Sequence, residues 1–254
     1  MKARPFIALV LCALAAVAAV AGDDPLVTDR PDFTESAVTV TRGRTQIEAG
    51  YTFTEIGDLE QHTVGELLVR IGWTEIVELR VGFNSWLQVD GPGVDLTGTE
   101  DLSVGCKIRL SDPLPAGSRL PQVAVLLATT LPTGSDEFGN SEAQPSATVA
   151  LSWELSERTS IGSNVGYARL GEKGDRFGEL SASVALGREL SERLGGYVEV
   201  YALSRQEGHG DDQTLNAGFT WALSDDSQLD FRAGTGLDSD SADFFVGAGA
   251  AWRF

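Results

Sequence analysis

Asp243-Phe244-Phe245-Val246-Gly247-Ala248-Gly249-Ala250-Ala251-Trp252-Arg253-Phe254 is the stretch whose reading decides the fold. Phe244, Val246, Ala248, Ala250, Trp252 and Phe254 fall on one parity; Asp243, Phe245, Gly247, Gly249, Ala251 and Arg253 fall on the other. Successive side chains of a strand point to opposite faces, so this period of two describes a strand with one apolar face and one small or charged face. The chain stops inside the alternating run. A last strand leaves no loose edge when it pairs with the first, as it does in a closed barrel.

The same period recurs upstream. Leu215, Ala217, Phe219, Trp221 and Leu223 alternate with Asn216, Gly218, Thr220 and Ala222; Val77, Leu79, Val81 and Phe83 alternate with Glu78, Arg80, Gly82 and Asn84. Twelve such segments are expected, at 45–55, 63–73, 77–88, 99–110, 121–131, 145–155, 158–169, 177–188, 194–205, 213–223, 227–237 and 243–254. Most exceed the usual globular strand of about five or six residues and match the 9–11 or so that a tilted strand needs to cross a bilayer. Connections alternate in length. Short ones include 74–76, 157, 189–193 and 224–226, with a stiff turn at 111–120 carrying Pro113, Pro115 and Gly117. Between them lie longer acidic loops such as 89–98, 132–144 and 206–212. Short turns at one rim and long polar loops at the other are the pattern of an outer-membrane barrel. The expected fold is therefore all-β: a single transmembrane antiparallel up-and-down barrel of about 12 strands, with short periplasmic turns, longer acidic extracellular loops and both termini at the periplasmic rim. A soluble exported β-sandwich, which also alternates, is the competing architecture.

The start of the chain is for targeting. Lys2 and Arg4 precede the apolar run Phe6 to Ala21, which ends in the A-x-A site Ala19-Val20-Ala21. Residues 1–21 read as a cleaved signal peptide, which removes Cys12 and leaves Cys106 alone, so no internal disulfide can form. The formal charge of −18 excludes a phosphate-binding surface and hence a nucleic-acid partner. Glycine, at 29 of 254 residues, disfavours helices. Residues 22–44 show no alternation before Ala37. This segment is expected to sit in the periplasm or plug the lumen, with Asp29, Arg30, Asp32, Phe33 and Glu35 as the possible plug, and residues 45–254 form the barrel.

If the apolar parity meets lipid, the other lines the lumen. It carries Glu48, Glu66, Arg70, Glu78, Arg80, Asp101, Lys107, Arg109, Glu154, Glu179, Glu199, Asp230 and Arg232. Basic residues facing lipid at the midplane would cost about 2–4 kcal/mol. In the lumen these charges either brace the barrel as a lattice of ion pairs or select solutes, and the pairing register decides between the two. Trp73, Trp153, Trp221 and Trp252 gather near the short-turn ends of the apolar face, where an interfacial girdle belongs. Catalysis has little to build on. His62 and His209 are the only histidines, both in outer loops, and His209 beside Asp211 and Asp212 is the one acid–base pairing in reach. No nucleophile elbow or metalloprotease motif occurs. Two histidines and one mature cysteine are too few for a typical zinc site, so neither metal nor cofactor is expected.

Two resemblances add to this reading. Trp252 and Phe254, at the end of the terminal strand, resemble the C-terminal signal that assembly machinery reads in bacterial outer-membrane proteins. The stretches Thr28–Glu35, Glu66–Gly72, Val77–Gly82 and Leu131–Gly134 together are similar to a family of outer-membrane transporters named for the MetA pathway of phenol degradation. That resemblance implies a barrel for passive passage of small solutes, hydrophobic or aromatic ones among them, with no catalytic residues. The implied location is the bacterial outer membrane, after secretion through the inner membrane. The implied partners are outer-membrane lipids and lipopolysaccharide, the barrel-assembly machinery and small solutes, with the protein as a monomer. A structural or adhesive barrel without transport is the alternative.

Overall fold

The computed structural model describes residues 25–172 and 175–254; the signal-peptide reading of 1–21 lies outside them. Fourteen strands make up the described fold: β1 (Thr45–Ile56), β2 (Leu59–Gly72), β3 (Val77–Gly82), β4 (Trp86–Gly91), β5 (Val94–Thr99), β6 (Leu102–Arg109), β7 (Gln122–Leu131), β8 (Gln144–Ser156), β9 (Thr159–Glu172), β10 (Asp175–Glu189), β11 (Leu194–Arg205), β12 (Asp211–Ser224), β13 (Ser227–Gly236) and β14 (Phe244–Arg253). All neighbours are antiparallel. β14 pairs with β1, Gln46 opposite Arg253 and Glu55 opposite Phe244, which closes the sheet. Thr45 and Phe254 exchange backbone hydrogen bonds of 3.1 and 2.8 Å at the rim where both barrel ends meet.

Twelve strands close the wall, as the alternation predicts, but the third and fourth are each broken in two. Gly82 faces Ser103 and, four residues on, Trp86 faces Thr99, so β4 and β5 continue β3 and β6 without a slip. The segment 77–88 is thus interrupted at 83–85, and the expected loop 89–98 is a continuation of the wall that turns at Pro92-Gly93. The interruption lies level with a bulge in β2, where Gly65 and Glu66 take positive φ of 109° and 39° and the register against β1 shifts. Glu66 is the only non-glycine residue with positive φ among those described. A bulge adds a residue to one strand and re-aims its side chains. Carrying the alternation past Phe83 would turn Leu87 to lipid; instead Leu87 is buried and Trp86 exposed.

The wall is inside out. Val165, Leu180, Val184, Val200, Phe219 and Phe231 are exposed on the outer face. The largest fully buried side chains are Arg70, Lys107, Gln46, Glu48, Glu78, Glu199 and Asn216. A water-soluble protein buries the first set and solvates the second. The reverse is stable only where hydrocarbon covers the outside and every backbone group is paired within the closed sheet. The soluble sandwich is excluded by the same observation together with the β1–β14 closure.

Candidate functional site

Residues 25–44 run through the barrel interior. They form no strand, so their N–H groups find no ladder partners and need acceptors elsewhere. The wall supplies them. At the short-turn rim the Pro25 carbonyl accepts from Arg253 (3.1 Å). Higher up, the Glu48 carboxylate accepts the N–H groups of Asp29 (3.1 Å) and Arg30 (2.9 Å). Across the lumen, Glu199 accepts those of Phe33 (2.9 Å) and Thr34 (2.7 Å), and the Thr34 hydroxyl besides. Asn164 binds Glu35 both ways, accepting from its N–H (2.7 Å) and donating to its carbonyl (2.9 Å). Ser152 then accepts from Ala37 (3.0 Å) and Glu78 from Val40 (2.8 Å). The chain returns to the rim, where Gly43 donates to the Gly72 carbonyl (2.8 Å) and β1 begins.

Ion pairs tie the tip of this loop to β2, β3 and β6. Arg70 grips Glu78 with two parallel 2.9 Å bonds and reaches Glu48 at 3.0 Å. Asp29 sits in a cradle of three cations, with Arg70 at 3.3 Å, Lys107 at 3.1 Å and Arg80 adjoining. Glu35 pairs with Arg80 at 2.9 Å and Lys107 at 3.3 Å. Arg30 points the other way, bridging Glu66 and Asp230, while Arg232 reaches Glu66 (3.3 Å) and the Thr52 hydroxyl (2.7 Å). The positive-φ backbone at Glu66 thus delivers a carboxylate that Arg30, Arg232 and Thr52 share. Such buried pairs hold because each charge is met by several partners; a lone buried charge would cost several kcal/mol.

The wall is also notched to receive the loop. A Cβ on Gly50 or Gly249, opposite each other on β1 and β14, would run into the Arg30 guanidinium. A Cβ on Gly162 would meet the Thr34 methyl at 2.9 Å, and one on Gly72 the Thr41 carbonyl.

Of the thirteen expected lumen charges, Glu48, Glu66, Arg70, Glu78, Arg80, Lys107, Glu199, Asp230 and Arg232 all touch this loop or a residue that holds it. The other four lie elsewhere. Glu179 pairs with Arg205 (2.7 Å) toward the long-loop rim. Arg109 donates to the Glu75 carbonyl (2.9 Å) at the short-turn rim, where Glu154 also sits. Asp101, in the break between β5 and β6, is taken up by the 132–140 loop, accepting from the N–H groups of Thr133 (3.0 Å), Gly134 (2.8 Å) and Asn140 (2.9 Å). Burial alone would raise its pKa, but the bonds from Asn140, Gly134 and Thr133 hold it below the ordinary carboxylate value. In the loop itself, Asp32 makes no ion pair among the described residues, and Phe33 stacks on Tyr201 with ring centroids 4.4 Å apart. Trp252 stands on the outer parity opposite Ile47, and Phe254 closes the rim with Thr45. The His209 ring stacks on Phe177 at 3.8 Å, and Asp211 and Asp212 accept from Arg205 (3.1 Å) and Thr214 (2.8 Å). Asn164, Ser152 and Gln46, which bind the loop's backbone or its carbonyls, are uncharged. Their one sequence signal is that they share the charged parity of their strands.

The loop separates two lumen cavities. On the long-loop side lies one of about 180 Å³ above Glu35 and Arg80. On the short-turn side lies one of about 480 Å³, bounded by Val38, Val40, Arg42, Arg109, Leu114 and Glu154.

A family model described as "Putative MetA-pathway of phenol degradation" matches residues 28–254. No curated protein matches the chain. Among solved structures, an outer membrane channel from Pseudomonas putida F1 is similar over 90% of this chain and 100% of its own, with a TM-score of 0.69 at 12% identity. The NanC porin is similar over 82% and 98%, with a TM-score of 0.57 at 10% identity. The KdgM porin is similar over 82% and 99%, with a TM-score of 0.54 at 10% identity. At these identities the likeness is one of fold.

Proposed function

The chain belongs to the family described as a putative MetA pathway of phenol degradation, and on that premise we propose that it is a bacterial outer-membrane barrel for the passive passage of small solutes. The observation that carries this reading is a lumen lined by charged and polar side chains, with a cavity on each side of one irregular loop. A barrel built only to brace a membrane could fill its interior with interlocking wall side chains, as eight-stranded barrels do. Here a separate strand-less segment fills it, held by side-chain contacts rather than by the ladder. The fold of the channel and porin neighbours supports the same reading. The family description points to aromatic compounds among the solutes, and the Phe33–Tyr201 stack inside the lumen offers such rings a surface.

Residues 25–44 act as the gate in this proposal. The loop closes the passage in its seated state, and its displacement joins the two cavities. The protein works without metal, cofactor or catalysis, as a monomer. Its outer band and its lipopolysaccharide-facing loops meet the membrane, and Trp252 and Phe254 are read during assembly. The test is single-channel recording of the folded protein in a planar bilayer. Discrete steps are expected; a folded but silent barrel would contradict the proposal and favour a structural barrel permanently filled by the same loop.

A further inference from the structure

Above the closed part of the wall, β5 leaves an open edge. It stands at the end of the strand order and pairs with β4 alone. β7 ends at Leu131, level with Leu102, and among the described residues no strand runs on beside β5. Thr99 donates its N–H to the Ser135 hydroxyl (3.0 Å) and accepts from the Ser135 N–H (2.9 Å), so its backbone groups point away from β4. That direction alternates along an antiparallel strand. Thr97 and Asp95 therefore point theirs the same way, and neither meets a partner there among the described residues. An unpaired edge of this kind accepts an added strand.

Beside the edge lies a row of carboxylates. Register sets Glu55 opposite Glu60, Glu60 opposite Asp90 and Asp90 opposite Asp95, across β1, β2, β4 and β5. By alternation the four share the outer face with the exposed Tyr51 and Trp86. Side chains directly opposite stand about 4.5–5.5 Å apart, where like charges destabilise a sheet. These four strands hold a single Lys or Arg, Arg70, and it is turned into the lumen. Gln88 donates to Asp90 (2.7 Å) but brings no charge.

We infer that the free edge of β5 is a docking site for an extended cationic segment of another protein, which adds as an antiparallel strand. A site on the long-loop rim goes beyond solute passage and does not depend on it. The edge supplies backbone pairing, and the row supplies the sign. The residue of the added strand opposite Asp95 extends the row by one place, so a Lys or Arg there meets a carboxylate that lacks a cation. A second copy offering its own β5 would set one acidic row against another. Lipid is excluded by the polar outer face of the hairpin, where Gln88, Asp90, Asp95 and Thr97 stand.

The test is fluorescence anisotropy of a short labelled peptide of alternating lysine and threonine, titrated with the full-length folded barrel in detergent at physiological ionic strength. Saturable binding is expected, at least tenfold tighter than that of the same peptide with glutamate in place of lysine. The lysine amides face β5 when lysine stands opposite Asp95. Methylating them should weaken binding at least tenfold, while methylating the threonine amides should leave it within about threefold. Thr97→Pro, which removes an edge donor, should weaken binding about tenfold, and Asp95→Asn about threefold to tenfold. The heat-dependent gel shift checks that each variant is intact, and the methylated peptides decide on the parent barrel if Thr97→Pro does not fold. No saturable binding, equal binding of the glutamate peptide, or undiminished binding by a folded Thr97→Pro or Asp95→Asn barrel would overturn the inference. Binding indifferent to methylation of the lysine amides would also overturn it, leaving a polycation on an acidic surface without strand addition.

Discussion

Replacing Glu199 with alanine should unseat the gate. Glu199 is buried at the middle of β11 and accepts four hydrogen bonds, three of them from the loop: the N–H groups of Phe33 and Thr34 and the Thr34 hydroxyl. The fourth comes from Asn216 (3.0 Å) and stays within the wall. Hydrogen bonds to a charged acceptor contribute about 1.5–3 kcal/mol each in a dry interior. In the lumen, water can take over part of the acceptor's role, which lowers the loss to roughly 1 kcal/mol per bond, or about 3 kcal/mol for the three. At about 1.4 kcal/mol per tenfold, the unseated population should rise on the order of 10²-fold. Two measurements read this. Open time in single-channel records should rise by that factor, and the amides of Phe33 and Thr34 should exchange with solvent faster by a similar factor. Glu199→Gln keeps one accepting oxygen and should fall between parent and alanine variant. If Glu199→Ala leaves both open time and exchange within about threefold of the parent, the anchoring argument is wrong.

Three further outcomes follow from the same geometry. Gly249→Ala places a methyl where the Arg30 guanidinium lies, so Arg30 must leave Glu66 and Asp230; breaking a buried pair costs about 3–5 kcal/mol, and the temperature of the gel-mobility shift should drop. Val184→Arg on the outer face, where Val184 is 54% exposed, should destabilise the membrane-inserted barrel by about 2–4 kcal/mol in vesicle refolding titrations, while Thr148→Arg on the inner parity should not. Asp101 has its carboxyl held below the ordinary value of 3.8 by the loop's N–H groups; a depressed folded-state value means that its contribution is complete above that ordinary value and is lost as the pH falls below it. Protease cleavage within 132–140 should therefore be slow at pH 7 and accelerate as the pH falls below that ordinary value.

The strands were legible because the membrane imposes period two on both faces at once. In β14 that alternation is uninterrupted, and its pairing with β1 runs from Gln46 opposite Arg253 to Glu55 opposite Phe244. It misled at Phe83-Asn84-Ser85, where β3 and β4 exchange faces. The bulge at Gly65-Glu66 that requires the exchange belongs to a different strand, so nothing local to 83–85 announces it except Trp86 on the wrong parity. Inner charges such as Arg70 and Lys107 could be read from parity alone, because no cheap alternative to the lumen exists for them. Their partners could not. Asp29 meets Arg70, Arg80 and Lys107 only because three strands stand in one register, and Asp101 serves an outer loop rather than the lumen proper. The seats for the loop were least visible: Gly50, Gly249 and Gly162 act by lacking a side chain, and Asn164 and Ser152 by offering a neutral acceptor.

The central claim is that residues 25–44 close a passage which is otherwise open, and single-channel conductance tests it directly when a chain beginning at Pro25 is compared with one beginning at Arg42. Without the loop, the nine wall charges that hold it comprise five acids and four bases, so the shortened barrel should show larger steps with a preference for cations that weakens at high salt. Equal conductance and equal selectivity in two folded barrels would contradict the account.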